Sequence, residues 1–163
     1  MEIIKAGIND LKPISKMYSD AIDNLNNVGI YQWDEIYPNE LTLKEDIEKQ
    51  ELYKIISDDH LLGAVVINQD TDAEYSNGHF EDDNYAVIHR LCVAPEYQHQ
   101  KIGYHAMTLI ENRLKEQGFR SIRLDAFSEN PYSLKMYEKL GYRKVGNAQW
   151  RKGLFYLFEK QLL

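Results

Sequence analysis

The stretch YAVIHRLCVAPEYQHQKIG, residues 85–103, decides the fold of this chain. Residues 85–93 are mostly apolar, β-branched or aromatic, as in a strand, and Ala94-Pro95-Glu96 ends that pattern. Apolar side chains then recur at helical spacing from Ala106 to Leu114. The stretch therefore predicts a strand, a short polar loop, and a helix from Lys101 to about Gln117.

A second informative stretch is NPYSLKMYEKLGY, residues 130–142, which predicts another helix. It follows the alternating strand pattern of residues 122–126. Further strands are predicted at both ends of the chain, with a hairpin turn at Asp58-Asp59. These strands comprise residues 2–6, 52–56, 61–67, 142–148 and 154–159. Strands that alternate with helices and are flanked by hairpins predict an α/β fold with a mixed sheet.

The N-terminal half contains two more predicted helices and one long loop. Apolar residues at helical spacing from Leu11 to Leu25 predict a helix capped by Asn9 or Asp10. Thr42 followed by Glu45 resembles the capping box of a second helix that ends near residue 50. Residues 68–84 are acidic and poor in aliphatic side chains, so we expect a long exposed loop there.

The length and charge of the chain narrow its class. The 163 residues fit one domain, residues 1–163, and the formal charge of −7 argues against a nucleic-acid surface. The acidic balance is compatible with a cationic amine substrate. No apolar run approaches the ~20 residues of a membrane span, and the N-terminus has no leader pattern, so we expect a cytoplasmic protein. The single cysteine, Cys92, lies in the apolar strand pattern and is interpreted as a buried side chain.

The loop of residues 98–103 lies between the predicted strand and helix. Backbone N–H groups and the positive end of the helix dipole make such a loop an anion site, and a diphosphate would suit it. An ordinary strand-to-helix turn is the alternative. The loop contains neither a Walker sequence nor a Gly-x-Gly-x-x-Gly turn.

Taken together, these motifs resemble the GNAT superfamily of N-acetyltransferases. In that family Arg/Gln-x-x-Gly-x-Gly/Ala binds the pyrophosphate of acetyl-CoA, and Gln98, Ile102 and Gly103 match it. Lys101 occupies the first Gly position, where it would cost strain if φ is positive, or place its ammonium near a CoA phosphate. The cofactor contacts implied by the resemblance are Leu91, Cys92, Val93, Gln98, His99, Gln100, Lys101, Ile102, Gly103, Tyr104, Asn130, Ser133 and Tyr137.

Residues 130–142 resemble the family pattern Asn-x-x-Ala-x-x-x-Tyr-Glu-Lys-x-Gly-Phe. The resemblance implies that Asn130 bonds the pantetheine arm and that Tyr137 is the general acid that protonates the departing thiolate. Tyr132 is the less favoured acid. The alternative is that Tyr137 simply packs in the core beside Leu134 and Leu140.

The central strand also resembles the family. A bulge near Leu91 is implied, which would free backbone groups for the pantetheine amides and the thioester carbonyl. Residues 88–93 look like the Leu-His-Ala-Leu-Ala-Val of arylalkylamine acetyltransferases, in which the His helps to deprotonate the amine through water. His89 is therefore the candidate base, since an unperturbed imidazole titrates near pH ~6.5. Val87 stands where other members carry a Glu base, and the alternative for His89 is a structural hydrogen bond.

Acceptor contacts in this superfamily come from the loop after the first helix and from loops around the central strands. This points to Tyr31, Gln32 and Trp33, with Tyr37 as a further candidate. His79 and Phe80 belong to a candidate lid. The aromatic cluster would either hold a cation or close the end of the core.

We therefore expect a GNAT fold that moves an acetyl group from acetyl-CoA to a primary amine by direct attack. The acceptor is expected to be a small-molecule amine or a peptide amine, with no metal, nucleic acid or membrane partner. The alternative is an acyl-CoA-binding regulatory module on the same fold. A homodimer is left open, because the predicted strand 154–159 would be able to pair with a partner if it lay at a sheet edge.

Overall fold

The computed structural model describes all 163 residues and contains seven strands and four α-helices. The strands are β1 (Glu2–Lys5), β2 (Leu52–Ser57), β3 (His60–Asn68), β4 (Tyr85–Val93), β5 (Ser121–Phe127), β6 (Arg143–Trp150) and β7 (Gly153–Gln161). The helices are α1 (Leu11–Asn27), α2 (Glu40–Glu48), α3 (Ile102–Glu116) and α4 (Pro131–Lys139).

The sheet is mixed, as predicted, and it is mostly antiparallel. Its strands are hydrogen-bonded in the order β1-β2-β3-β4-β5-β7-β6. β4 and β5 pair in parallel, whereas β1 with β2, β2 with β3, β5 with β7 and β6 with β7 are antiparallel. The parallel pair is joined by α3, which is the crossover helix that the sequence pattern predicts.

The chain forms two compact units. The first comprises Met1–Ile67 and Arg90–Ala106, and the second comprises Asn68–His89 and Met107–Leu163. β4 and α3 each contribute residues to both units. That the chain is a single domain stays a prediction.

The first unit is built around the apolar face of α1. Ile14, Met17 and Tyr18 are buried, and they belong to a core cluster with α2, β2 and β3. The turn between β2 and β3 is the predicted hairpin, in which Asp58 and Asp59 both have positive φ. Asp residues adopt this region more readily than most, which explains the choice of residue.

The capping box predicted at Thr42 and Glu45 is wrong. α2 begins two residues before Thr42, at Glu40, and its cap is Asn39, whose side chain accepts from the Thr42 N–H at 2.9 Å. Asn is at least as good a cap as Thr, so the earlier position is used. Likewise, Asp10 precedes α1, but its carboxylate accepts from the Gly7 N–H rather than from the helix.

The second unit has its own core around Tyr75, Val87 and Leu157. β7 pairs with β5 on one side and with β6 on the other. The expectation that residues 154–159 form a sheet edge is therefore wrong, because the C-terminal strand inserts between β5 and β6. A homodimer has no support from this strand.

The loop of residues 68–84 is less exposed than predicted. A short 3₁₀ segment, Ala73–Asn77, buries Tyr75, whose hydroxyl donates to the Asp125 carboxylate at 2.7 Å. The Phe80 ring stacks on Tyr75 with centroids 5.8 Å apart. A single aromatic residue thus anchors an acidic segment that its composition marks as loop.

Gly63 is a close-packing position of the first unit. A Cβ on Gly63 would lie 2.3 Å from the backbone oxygen of Cys92. That distance is far below van der Waals contact, and the atom it meets is main chain, which cannot move aside like a flexible side chain. The approach of β3 to the Cys92 carbonyl therefore requires glycine.

We expect Gly63→Ala to lower the free energy of unfolding by roughly 1–3 kcal/mol, because the strands must shift apart. Gly7→Ala is the control, since its Cβ would have no neighbour closer than 3.9 Å. Denaturant unfolding of both variants measures the difference. Equal midpoints for the two variants would contradict the close-packing argument.

Candidate active site

The central strand β4 has irregular backbone at Arg90, which has a φ of 51°. Left-handed backbone costs roughly 1–2 kcal/mol in a residue with a Cβ, so the surroundings must hold it. The Arg90 carbonyl accepts a hydrogen bond of 2.6 Å from the buried Tyr18 hydroxyl of α1. This irregularity lies one residue before Leu91, where the resemblance places a bulge; the bulge itself stays a prediction.

The Arg90 side chain ties the loop after α1 and helix α2 to β4. One guanidinium Nη donates to the Tyr37 hydroxyl at 2.6 Å, and the other contacts the Asp46 carboxylate in an ion pair. The two charged side chains are only 11% and 12% exposed. Burial disfavours the charge, but Tyr37 and Asp46 outweigh it and raise the pKa of Arg90, so the guanidinium stays protonated.

Gln98 begins the loop, and its side-chain amide forms hydrogen bonds with other groups of the protein. Its Oε1 accepts from the Asn24 side chain at 3.0 Å, and its Nε2 donates to the Val93 carbonyl at 3.3 Å. Gln98 therefore anchors the loop to α1 and to the end of β4. In this structure the residue that matches the first motif position shapes the loop.

The loop itself has alternating left-handed backbone before α3. His99 has a φ of 64° and Lys101 a φ of 62°. At the start of α3 the His105 N–H donates to the Lys101 carbonyl at 3.1 Å. Helix geometry leaves the amides of Ile102 and Gly103 without intrahelical acceptors. Such a loop at a helix N-terminus fits an anionic group such as a diphosphate.

Cys92 is structural, as the sequence indicates. Its side chain is buried in the core cluster of the first unit, and burial raises the pKa of the thiol to about 12. The sulfur is therefore a thiol at neutral pH and not a nucleophile. Any contact of Cys92 with a cofactor would therefore involve its backbone groups, whereas the side chains of Leu91 and Val93 are half-buried.

The residues of the first unit that are candidates for contacting the acceptor amine differ in burial. Trp33 packs against the core, with its ring 5.7 Å from that of Tyr18. Tyr31 is 56% exposed, and Gln32 is half-buried. Trp33 thus closes the end of the core, which is one of the two roles expected for the aromatic cluster. Tyr31 remains at the surface.

His89 belongs to the second unit, where it pairs with a residue that the sequence did not single out. Its Nε2 lies 2.8 Å from the Oδ1 atom of Asn68, the last residue of β3. The same Oδ1 accepts from the Asp70 N–H at 3.0 Å. His89 is half-buried. In the sequence, Asn68 is marked only by its position: it is a polar residue that follows a predicted strand and precedes an acidic segment.

Tyr137 on α4 is buried and 6% exposed. Its ring lies 5.4 Å from that of Tyr142 and 6.2 Å from that of Phe158. Burial, together with the negative charge of Asp125, raises the pKa of the hydroxyl well above its usual value. The ring thus packs in the core as the alternative has it, and the hydroxyl holds its proton at neutral pH.

Asn130 and Ser133 build the start of α4. The Asn130 Oδ1 accepts from the N–H groups of Tyr132 at 3.1 Å and Ser133 at 3.2 Å, and Pro131 follows at the first helical position. The Ser133 hydroxyl donates to the Asn130 carbonyl at 3.3 Å. Asn130 is therefore a helix cap, which positions the helix that carries Tyr137.

The loop with His79 and Phe80 is held within the second unit. The His79 N–H donates to the Val145 carbonyl at 2.9 Å, and the Arg123 guanidinium lies 4.2 Å from the centre of the Phe80 ring. The His79 side chain is exposed. A role for this loop as a lid stays a prediction.

Comparisons with known proteins place this geometry in a class. A sequence model described as the acetyltransferase (GNAT) family matches residues 17–142. The α/β fold with its central strand, loop and crossover helix is that of acetyltransferases. The chain belongs to the GNAT family, and it is an acetyltransferase of that family.

Solved structures agree on the fold. A GNAT-family acetyltransferase from Streptococcus agalactiae 2603 has a TM-score of 0.83 at 20% identity, covering 98% of this chain and 94% of that one. PaiA N-acetyltransferase from Thermoplasma acidophilum, in complex with coenzyme A, has a TM-score of 0.72 at 20% identity, covering 98% of each chain.

The ribosomal-protein-S18-alanine N-acetyltransferase of Escherichia coli has a TM-score of 0.72 at 13% identity, covering 99% of this chain and 93% of that one. No curated protein matches the sequence. None of the helices has both the length and the apolar character that crossing a membrane requires.

We expect Asp46→Ala to lower the free energy of unfolding by roughly 3 kcal/mol or more, since it leaves the Arg90 guanidinium buried without its counter-ion. Asp20→Ala is the control, because the Asp20 pair with Lys16 is exposed and its loss should cost within about 0.5 kcal/mol. Urea unfolding measures both. Similar losses would show that the buried pair is no more important than a surface one.

We expect Lys101→Gly to raise the free energy of unfolding by roughly 0.5 kcal/mol, because glycine adopts the left-handed backbone without strain. Gln100, its neighbour, has no positive φ. Gln100→Gly should therefore lower stability by about 0.5 kcal/mol, from the extra entropy of the unfolded chain. Thermal unfolding tests the pair, and a destabilised Lys101→Gly variant would contradict the strain argument.

Proposed function

We propose that this protein transfers the acetyl group of acetyl-CoA to a primary amine by direct attack, without an acyl-enzyme. The observation that carries the proposal is the loop leading into α3, which is left-handed at His99 and Lys101, in a chain of the GNAT family. Such a loop offers backbone N–H donors to a diphosphate, and coenzyme A contains one.

The residues that would hold acetyl-CoA follow from this. The loop of residues 98–104 would bind the diphosphate through its backbone, and the exposed Lys101 side chain would add a positive charge. Backbone groups of residues 91–93 would hold the pantetheine arm and stabilise the developing oxyanion. Asn130 and Ser133 would contact the arm from the start of α4. When bound, acetyl-CoA supplies an activated acetyl thioester.

Tyr137 is the proposed general acid. The departing sulfur needs a proton, and the Tyr137 hydroxyl carries one at neutral pH. Its burial also excludes water, which would otherwise compete as donor. Tyr132, the less favoured acid, is 60% exposed. The difference in burial supports Tyr137 over Tyr132.

His89 is the proposed base, acting directly or through a water molecule. It would take the proton that the amine loses on attack. The acceptor would be a small-molecule amine or a peptide amine, contacted by Tyr31, Gln32 and Trp33 in the loop after α1. The structural neighbour from E. coli is named for an alanine of a ribosomal protein, which makes a peptide N-terminus worth testing.

A thiol-release assay tests the reaction. Acetyl-CoA would be incubated with phenethylamine, spermidine and a peptide with N-terminal alanine, and free CoA measured. Calorimetry with acetyl-CoA would run in parallel. Turnover on one amine class is expected; binding without turnover on any of them would favour an acyl-CoA-binding regulatory module, and no binding would remove acetyl-CoA as the substrate.

We expect Tyr137→Phe to lower kcat by about 100-fold or more, with the Kd for acetyl-CoA little changed, because the acid acts only on the departing sulfur. Tyr132→Phe is the matched control on the same helix and should retain wild-type kcat. Steady-state kinetics and calorimetry measure the two constants. Wild-type turnover in Tyr137→Phe would eliminate the acid assignment.

A further inference from the structure

The hydrogen bonds of Asn68 determine which nitrogen of His89 carries a proton. The Asn68 Oδ1 accepts from the backbone N–H of Asp70, and a backbone N–H only donates. The atom that faces it must therefore be the amide oxygen and not the nitrogen. The orientation of the Asn68 amide is thus fixed by the protein's own backbone.

The same oxygen lies 2.8 Å from the His89 Nε2. An amide oxygen is only an acceptor, so Nε2 must be the donor. A neutral imidazole has one N–H, and this proton is therefore on Nε2, which leaves the lone pair on Nδ1. The neutral ring is held in one tautomer.

The segment after β3 is itself tied to β4. The Gln69 Nε2 donates to the Tyr85 carbonyl at 3.3 Å, next to the turn in which Asn68 and Asp70 are bonded. The Asn68 amide itself is oriented by the Asp70 N–H, and the Gln69 bond is a separate tie between the same segment and β4. The Asn68 oxygen therefore faces the His89 ring independently of any ligand.

We propose that Asn68 is a positioning residue for catalysis: it holds His89 as the Nε2–H tautomer, so that Nδ1 is the atom that takes the proton of the acceptor amine. This inference rests on the proposed function. In the step, Nδ1 gains the proton that the amine loses as its nitrogen bonds to the acetyl carbon. The carbon–sulfur bond breaks, and Tyr137 protonates the sulfur.

Asn68 also remains useful after that transfer. The imidazolium has N–H groups on both nitrogens, and the Nε2–H continues to donate to the Asn68 oxygen. The ring need not rotate between its neutral and charged forms. The alternative is that the same bond only fastens the end of β3 to β4, in which case its electrostatics would have no effect on turnover.

The first experiment is independent of activity. Long-range ¹H–¹⁵N spectra of the uniformly ¹⁵N-labelled protein report the tautomer of each neutral histidine, and His89→Gln identifies the signals of His89 among the five histidines. We expect a protonated Nε2 and an unprotonated Nδ1. A protonated Nδ1 in the neutral ring would overturn the inference.

The second experiment changes the charge of residue 68, the hydrogen-bond acceptor of His89, while keeping an oxygen in its side chain. Asn68→Asp still accepts from Asp70 and His89, but its carboxylate stabilises the imidazolium, so the pKa of His89 in the NMR titration should rise by about one unit or more. The acidic limb of the kcat/KM profile, measured with acetyl-CoA and the amine that the panel identifies, should move upward equally. Asn68→Leu should lower the plateau roughly tenfold, an orientation effect within the range of general base catalysis.

Gln69→Leu is the matched control, because it removes a neighbouring bond to β4 without touching the imidazole. It should leave the tautomer, the pKa of His89 and the pH profile unchanged. An unmoved pKa of His89 in Asn68→Asp would overturn the role of Asn68. A raised pKa with an unmoved kcat/KM profile would overturn His89 as the base, and with it the catalytic role of Asn68, while acetyl-CoA binding and Tyr137 would still be open to their own test.

Discussion

Arg90 is the point on which the first unit depends. Its carbonyl accepts from Tyr18 of α1, while its guanidinium binds Tyr37 in the following loop and Asp46 of α2. One residue of β4 thus fixes three separate elements. The strain of its left-handed backbone is offset by those bonds, which hold both its main chain and its side chain. The loop that carries the acceptor candidates takes its position from this residue.

The polar side chains of the family motifs have mostly internal partners. Gln98 bonds Asn24 and Val93, and Asn130 caps α4. Their hydrogen bonds therefore shape the loop and the start of the helix, and the groups available to bind an anion are backbone N–H groups. This division explains why such motifs combine amide side chains with glycine: the former fix a turn, and the latter lets a ligand approach the main chain.

The parts of the fold that sequence predicts are those set by local patterns. β4 is predicted at its observed bounds because its apolar run ends before Pro95, whereas the positive φ of Lys101 is only one of the two expectations for a lysine at a motif glycine. α2 was misplaced because Asn39 and Thr42 compete as caps. The place of β7 between β5 and β6 depends on pairing between distant segments, which no local pattern encodes.

The same distinction between local patterns and distant pairing applies to the candidate site. Tyr137 and the loop of residues 98–103 were available from motifs, whereas Asn68 was not, because its contact with His89 joins residues 21 positions apart. The partners of Arg90 were equally hidden, although a charged residue in an apolar strand is itself a signal. A side chain's identity can be read from the chain, but its hydrogen-bond partner is set by the tertiary fold.

Lys101 has a consequence for how an anion would be held. Its side chain is exposed, so its attraction for a phosphate is screened by salt over a Debye length of about 8 Å at physiological ionic strength. A glycine in the same place would contribute only backbone geometry, which salt scarcely affects. By exchanging one for the other, this chain would couple the strength of its anion site to the ionic strength of the medium.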